Sequence, residues 1–201
     1  MEFHDLVAHA RAHSTTPDPG RARLADGQRP LAMFVTCSDS RVIPTQITHT
    51  RPGQLFELRT AGNVIPSRPG TPSGELATIE YAVNVLAVRD IILCGHSHCG
   101  AVAAMTDGHD PVRLPNAGRW LAEAPRRVPY RIAGEDGGHP QRGAERRHLV
   151  AQFAALTALP VVRERLDRAE LRLHCWYYEI DTGRVQAAQR GEGVEFSFGE
   201  L

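Results

Sequence analysis

Short apolar segments separated by turns restrict the fold more than any other feature of this sequence. Residues 31–36, 54–58 and 90–94 are mostly apolar, and each is bounded by Gly, Pro or polar residues. Runs this short are typical of buried strands rather than helices. Residues 73–88, between the second and third run, carry apolar side chains at helical spacing. The sequence therefore predicts an α/β fold with a central, mostly parallel β-sheet flanked by helices.

The first part of the chain has a different character. Residues 3–13 have the pattern of a short helix, and residues 15–30 contain several Pro and Gly residues, as linkers do. We therefore divide the chain into an N-terminal helical arm and linker, residues 1–30, and one α/β domain, residues 31–201. The length of that domain is sufficient for a single core.

The second half of the chain mixes an irregular region with regular elements. Residues 106–143 are rich in Gly, Pro, Asp and Arg, which predicts a long loop region. Residues 145–159 predict a helix that breaks or restarts at Pro160. Residues 170–180 alternate in polarity, and a second extended segment starts at Arg184. These two segments predict a C-terminal β-hairpin.

The amino-acid composition argues against nucleic acid and membranes as partners of this protein. The 23 basic and 23 acidic residues cancel, so no global field attracts nucleic acid or an anionic membrane surface. No segment approaches the roughly 20 apolar residues that span a bilayer, and the start lacks a signal-peptide pattern. We therefore expect a cytoplasmic protein with a small-molecule substrate. Its cysteines, at positions 37, 94, 99 and 175, are then reduced thiols or metal ligands.

Two polar clusters follow predicted strands. Cys37, Asp39 and Arg41 come directly after the first strand, and His96 and Cys99 follow the strand at 90–94. Carboxyl ends of parallel strands meet at one edge of a sheet, where reactive groups collect. Two thiolates and one imidazole are typical zinc ligands and leave a fourth position for catalysis. The alternative is that both cysteines are ordinary buried thiols beside a loop histidine.

The same residues resemble a known signature. Cys-x-Asp-x-Arg followed by His-x-x-Cys is similar to the signature of the β-class carbonic anhydrase family. The resemblance extends over about residues 28–185 and is carried by residues 55–64 (LFELRTAGNV), 74–81, 95–100, 150–161 and 171–182. It implies that Cys37, His96 and Cys99 bind Zn²⁺. It also implies that Asp39 and Arg41 form a catalytic pair beside the metal.

The resemblance further implies an activity and an assembly. Members of the family hydrate CO2 reversibly to bicarbonate with hydroxide held on zinc, and they form homodimers or dimers of dimers. Gln28 matches the family position whose amide reaches the substrate across a dimer interface. Gly62 and Val64 are then expected to shape the apolar pocket that receives the substrate. The pair formed by Asp39 and Arg41 occurs in an open form or in a closed form in which the aspartate binds zinc.

Other positions are assigned separately. Cys94 and Cys175 are interpreted as core thiols, and His98 as a solvent-facing loop residue rather than a proton relay. Phe34 stands where some family members carry a Trp that, with an arginine matching Arg59, holds a regulatory bicarbonate. The indole donor is missing at Phe34. His148 replaces an Asn that is common in the family, and the sequence offers no mechanistic reason for this change.

Two alternative functions remain open at this point. A zinc hydrolase of the same fold acts on carbonyl sulfide or carbon disulfide with the same ligands. A non-catalytic, zinc-stabilised binding module also needs the three ligands, but it does not need Asp39 and Arg41. The presence of both residues favours an enzyme.

Overall fold

The strands of the described residues form one seven-stranded sheet. The computed structural model describes residues 1–16, 20–66, 72–125, 130–133, 140–191 and 195–201. The strands are β1 (Ala32–Cys37), β2 (Leu55–Thr60), β3 (Asp90–His96), β4 (Arg131–Ile132), β5 (Arg172–Tyr178), β6 (Val185–Arg190) and β7 (Glu195–Glu200). The helices are α1 (Phe3–Thr15), α2 (Pro44–Thr48), α3 (Gly74–Asn84), α4 (Gly100–Thr106), α5 (Pro115–Ala122), α6 (Pro140–Ala158) and α7 (Pro160–Asp167).

The strand order is β2-β1-β3-β5-β6-β7-β4. Strands β2, β1, β3 and β5 pair in parallel, β5, β6 and β7 pair antiparallel, and β4 runs parallel to β7. The chain leaves β1 to form β2 on one side and later β3 on the other side. The carboxyl ends of β1 and β3 therefore flank a point where the strand order reverses, which is where open α/β sheets bind ligands.

Alternation along the strands divides the core between the two faces of the sheet. On one face, Met33 and Leu93 pack in a cluster with Leu149 and Leu156 of α6. On the other face, Phe34 is fully buried and meets Trp176 edge to face, with ring centroids 6.1 Å apart. Successive residues of β1 thus point to opposite faces and are buried on both. This explains why β1 is a continuous apolar run.

The predicted C-terminal hairpin is confirmed, because β5 and β6 pair antiparallel. A third antiparallel strand, β7, continues the sheet and was not predicted. The predicted helical arm is also confirmed as α1, and none of its residues is buried. In the part of the chain that the structure describes, no helix has the length and apolarity needed to cross a bilayer.

The prediction of a long loop over residues 106–143 is wrong in part. Helix α5 begins with a proline in its first turn and buries Leu121, and α6 already starts at Pro140. Proline is favoured in the first turn of a helix because its ring presets φ and no amide hydrogen is needed there. Leu121 packs against Val64, a tertiary contact that sequence periodicity does not reveal. Residues 126–129 and 134–139 lie outside the described residues.

Candidate metal centre

Cys37 is the last residue of β1, and the loop that follows it is held by hydrogen bonds from a half-buried arginine. The Cys37 side chain is 6% exposed. Arg59, on the adjacent strand β2, donates hydrogen bonds to the backbone carbonyls of Cys37, Asp39 and Val42 at 3.2, 2.8 and 2.7 Å. A guanidinium fixes several acceptors at once because its donors form a rigid planar fork. Arg59 therefore sets the path of the chain after Cys37.

His96 ends β3, in the strand next to β1. Its Nδ1 lies 2.9 Å from the carbonyl oxygen of Ser97, and because a carbonyl only accepts, Nδ1 carries the hydrogen. The buried Nε2 has no hydrogen-bond partner among the described residues. A nitrogen that is buried without a partner is costly, and a histidine oriented through its other nitrogen is the usual arrangement of a metal ligand.

Cys99 directly precedes α4, and a buried carboxylate holds its backbone. The Cys99 amide donates to Glu145 Oε1 at 2.9 Å, and the Tyr177 hydroxyl donates to Glu145 Oε2 at 2.6 Å. Glu145 is 2% exposed. Sequence reasoning missed Glu145 and Tyr177. A signal was present, because Glu145 lies four residues before the core residue Leu149 and shares its face of α6.

The three predicted ligands meet at one place. The ligand atoms of Cys37, His96 and Cys99 all lie within 4.8 Å of one another, and all three residues are buried. The hydrogen bond from the Cys99 thiol lowers the pKa of Cys37, and the same contact together with burial raises the pKa of Cys99. Binding of a dication by both sulfurs would release any proton that they hold, because metals bind the thiolate form. Two sulfurs and one free imidazole nitrogen fit Zn²⁺.

Asp39 and Arg41 form a pair beside this cluster. Asp39 Oδ1 accepts from Arg41 Nε at 2.9 Å and Oδ2 accepts from Nη2 at 2.7 Å. These bonds hold the pKa of Asp39 well below its usual range. Arg41 Nη2 also donates to the carbonyl of His98 at 3.0 Å. The pair is thus tied to the loop that joins His96 to Cys99, and both carboxylate oxygens of Asp39 are engaged by Arg41.

Known proteins place this geometry in a family. The family model described as carbonic anhydrase matches residues 32–185. The solved structure of the β-carbonic anhydrase CcaA superposes with a TM-score of 0.75 at 35% identity, covering 90% of this chain and 82% of that one. This chain belongs to the β-carbonic anhydrase family.

Further relatives agree with this assignment. A carbonic anhydrase of Pseudomonas aeruginosa is 41% identical over 166 residues, which cover 82% of this chain and 76% of that protein. A structure from a study of two tetrameric β-carbonic anhydrases of Sordaria macrospora has a TM-score of 0.67 at 28% identity, and the match covers 94% of this chain and 95% of the other. The chain therefore shares its fold with a family of enzymes.

The three predicted substrate-binding residues of this β-carbonic anhydrase lie at different distances from the ligand cluster. Gly62 is buried beside the cluster and donates its amide hydrogen to Cys37 Sγ at 3.3 Å. Val64 is buried against Leu121 and Ala124, and its part in a substrate pocket remains a prediction. Gln28 is exposed in the segment before β1 and lies outside the ligand cluster.

Gly62 is the position where added volume is expected to be most harmful. Its φ is +73°, and a Cβ would lie 2.9 Å from the Cβ of Ala101. Gly62→Ala should lower the free energy of unfolding of the metal-free protein by about 2–5 kcal/mol, from left-handed strain plus overpacking. Denaturant unfolding measures this loss.

Gly183 is a matched control for Gly62. It has nearly the same φ, +74°, but a methyl group added at this position would have no neighbour within 4 Å among the described residues. Gly183→Ala should therefore cost only the backbone strain, about 1–2 kcal/mol. Equal losses in the two variants would show that the space beside Gly62 is not restricted.

Proposed function

We propose that this protein is a zinc-dependent carbonic anhydrase that hydrates CO2 reversibly to bicarbonate. The observation that carries the proposal is the buried convergence of Cys37, His96 and Cys99 with an intact Asp39–Arg41 pair beside them. A structural zinc site needs the ligands alone. An ionised aspartate fixed next to an open metal position is a feature of catalysis.

Zinc, when bound, lowers the pKa of water enough to supply hydroxide near neutral pH. Asp39 acts on that nucleophile. An ionised carboxylate only accepts hydrogen bonds, so Asp39 would accept a hydrogen bond from the hydroxide and thereby direct an oxygen lone pair at the carbon of CO2. Arg41 keeps Asp39 ionised and oriented. Because it also holds the His98 carbonyl, Arg41 fixes the distance between the pair and the ligand loop.

Stopped-flow CO2 hydration with and without a zinc chelator tests this proposal. The purified protein should hydrate CO2, lose that activity when the chelator removes zinc, and recover it when zinc is restored. Metal analysis should give one zinc per chain. A folded, zinc-loaded protein that does not hydrate CO2 would make the site a structural one.

The same assay across pH gives a second readout. Two thiolates neutralise the charge of the dication, so water is acidified less than at an all-histidine site and the rate should rise from pH 7 to pH 9. Asp39 does not contribute to this rise. Its pKa is lowered by Arg41, so it is already ionised throughout this range and protonates only well below the usual range of a carboxyl. A rate that is flat or falling between pH 7 and pH 9 contradicts the assignment.

We further propose that the protein works as a homodimer or a dimer of dimers. No residue of α1 is buried, and Phe3 and Leu6 are 78% and 51% exposed. An arm with exposed apolar side chains is suited to pack on a second copy. Gln28, exposed on one chain, would then reach the site of its partner. Light scattering should give two or four times the 22.1 kDa mass of the chain, and a monomer at micromolar concentration contradicts the proposal.

We also propose a cytoplasmic location. Two of the three zinc ligands are cysteine thiols, and a reducing compartment keeps them available to the metal.

A further inference from the structure

The segment Ala61–Asn63 follows β2 and is held from two helices at once. Trp120 Nε1, on α5, donates to the carbonyl of Ala61 at 2.7 Å. His148 Nε2, on α6, lies 2.7 Å from the carbonyl oxygen of Gly62. Two successive carbonyls of one short segment are therefore fixed by side chains from different parts of the chain.

The same segment touches the metal cluster through a single peptide group. The carbonyl of Ala61 and the amide of Gly62 belong to one planar peptide unit. Its oxygen accepts from Trp120, and its N–H donates to Cys37 Sγ at 3.3 Å. In a trans peptide the two groups point in opposite directions. Trp120 therefore both orients and polarises the N–H that reaches the sulfur.

His148 fixes the next peptide unit. Because a carbonyl only accepts, Nε2 must carry the hydrogen in this contact, and the ring is held as a donor. Burial lowers the pKa of His148, which keeps the ring neutral. With the carbonyls on both sides of its Cα held, Gly62 keeps its left-handed conformation, φ +73°. The direction of its N–H is then set by α5 and α6 rather than by the segment itself.

We propose that Trp120 and His148 are positioning residues that aim the Gly62 amide at Cys37 Sγ and thereby set how much charge this thiolate donates to the metal. The proposal rests on the proposed function, in which Cys37 is a zinc ligand. A hydrogen bond to a thiolate withdraws electron density from sulfur. Less donation leaves the metal a stronger Lewis acid, and outer-shell groups of this kind alter activity by about 10–100-fold.

The test uses variants that remove the hydrogen-bond donor of Trp120 or His148 but keep most of the side chain's packing volume. Trp120→Phe removes the indole N–H and keeps an aromatic ring. His148→Leu removes the donor, and His148→Asn restores a shorter one. Trp176→Phe is the matched control, because the chain's other tryptophan packs against Phe34 in a different core cluster from that of Trp120. All variants are made in the full-length protein.

Two readouts do not depend on hydration activity. In the metal-free protein, the Gly62 amide proton resonance should move upfield in Trp120→Phe and His148→Leu, because its hydrogen bond to sulfur weakens. In the Co²⁺-substituted protein, the sulfur-to-metal charge-transfer band should move to lower energy. His148→Asn and Trp176→Phe should leave both signals close to those of the unaltered protein.

Activity supplies the third readout. Hydration near pH 7.5 should fall roughly 10-fold in Trp120→Phe and His148→Leu, with the pH midpoint of the rate moved upward and the plateau at high pH largely retained. The proposal is overturned if Trp120→Phe and His148→Leu lower the free energy of unfolding but leave the Gly62 resonance and the Co²⁺ band unchanged. The two side chains would then only stabilise the fold. The role of His148 is also overturned if the two spectroscopic signals change as much in His148→Asn as in His148→Leu.

A failure of the proposed function would look different. If the Co²⁺ or Zn²⁺ protein does not hydrate CO2, the activity assignment fails, while the Gly62 resonance still reports whether Trp120 and His148 aim the amide. The two conclusions are therefore tested by separate measurements.

Discussion

Replacing Cys37 with serine is expected to remove zinc and CO2 hydration together. A serine hydroxyl does not ionise near neutral pH, so the variant loses one of the two anionic ligands in the Cys37, His96 and Cys99 cluster. Altering an outer-shell partner of a metal ligand costs about 10–100-fold, and loss of a ligand itself should cost more than about 100-fold in hydration rate. Zinc content by metal analysis and stopped-flow hydration measure the two effects.

Cys175→Ala is the matched control for this variant. Cys175 is also a buried free thiol, on β5, but it lies in the apolar core with Leu149 and Tyr177. Burial raises its pKa, so it is a neutral packing residue. The control should keep one zinc per chain and its activity. A Cys37→Ser protein that retained both would remove Cys37 from the ligand set.

Asp39→Asn is expected to separate zinc binding from catalysis. Asp39 is not one of the three clustered ligands, so zinc should remain bound. The amide carries no charge and presents a donor where the carboxylate has only acceptors, so the nucleophile is no longer oriented. We expect hydration to fall by about 10²–10³-fold, the range for loss of a positioned polar group in an active site.

Asp90→Asn is the control for Asp39→Asn, because it removes a similar aspartate–arginine ion pair at a place away from the ligand cluster. Asp90 accepts two hydrogen bonds from Arg172, at 2.8 and 2.7 Å, in the same bidentate manner in which Asp39 pairs with Arg41. It lies at the start of β3, whereas the ligand His96 lies at its end. Asp90→Asn should therefore leave the hydration rate unchanged. Full activity in Asp39→Asn, or an equal loss in both variants, would falsify the role given to Asp39.

The ligand set could be predicted from sequence because it depends on strand ends. Cys37 ends β1 and His96 ends β3, and these strands pair in parallel with Met33 opposite Ile91 and Thr36 opposite Cys94. Once both runs are recognised as neighbouring parallel strands, their carboxyl ends must meet. The prediction of zinc rested on the ligand types, and the prediction of the activity rested on the resemblance.

The supporting residues could not be predicted in the same way. Glu145, Trp120 and His148 act through contacts with Cys99, Ala61 and Gly62, which lie 46, 59 and 86 residues away in the chain. Helical spacing from Leu149 indicates that Glu145 faces the core, but no local pattern identifies the distant partner of any of the three residues. Helix α5 was missed because it is short and lies in a segment rich in Gly and Pro, and β7 because pairing with β6 rather than its own pattern makes it a strand.

Cys37 and His96 end two strands that pair with each other, and Cys99 lies directly before α4. The β1–β3 register, the Arg59 bonds to three carbonyls and the Glu145 bond to Cys99 fix the backbone that carries the three donor atoms. All of these contacts join protein groups to one another, whereas some zinc modules are unfolded until the ion arrives. We therefore expect loading and unloading of an ion to be a local event at one rim of the sheet, with no refolding of the polypeptide.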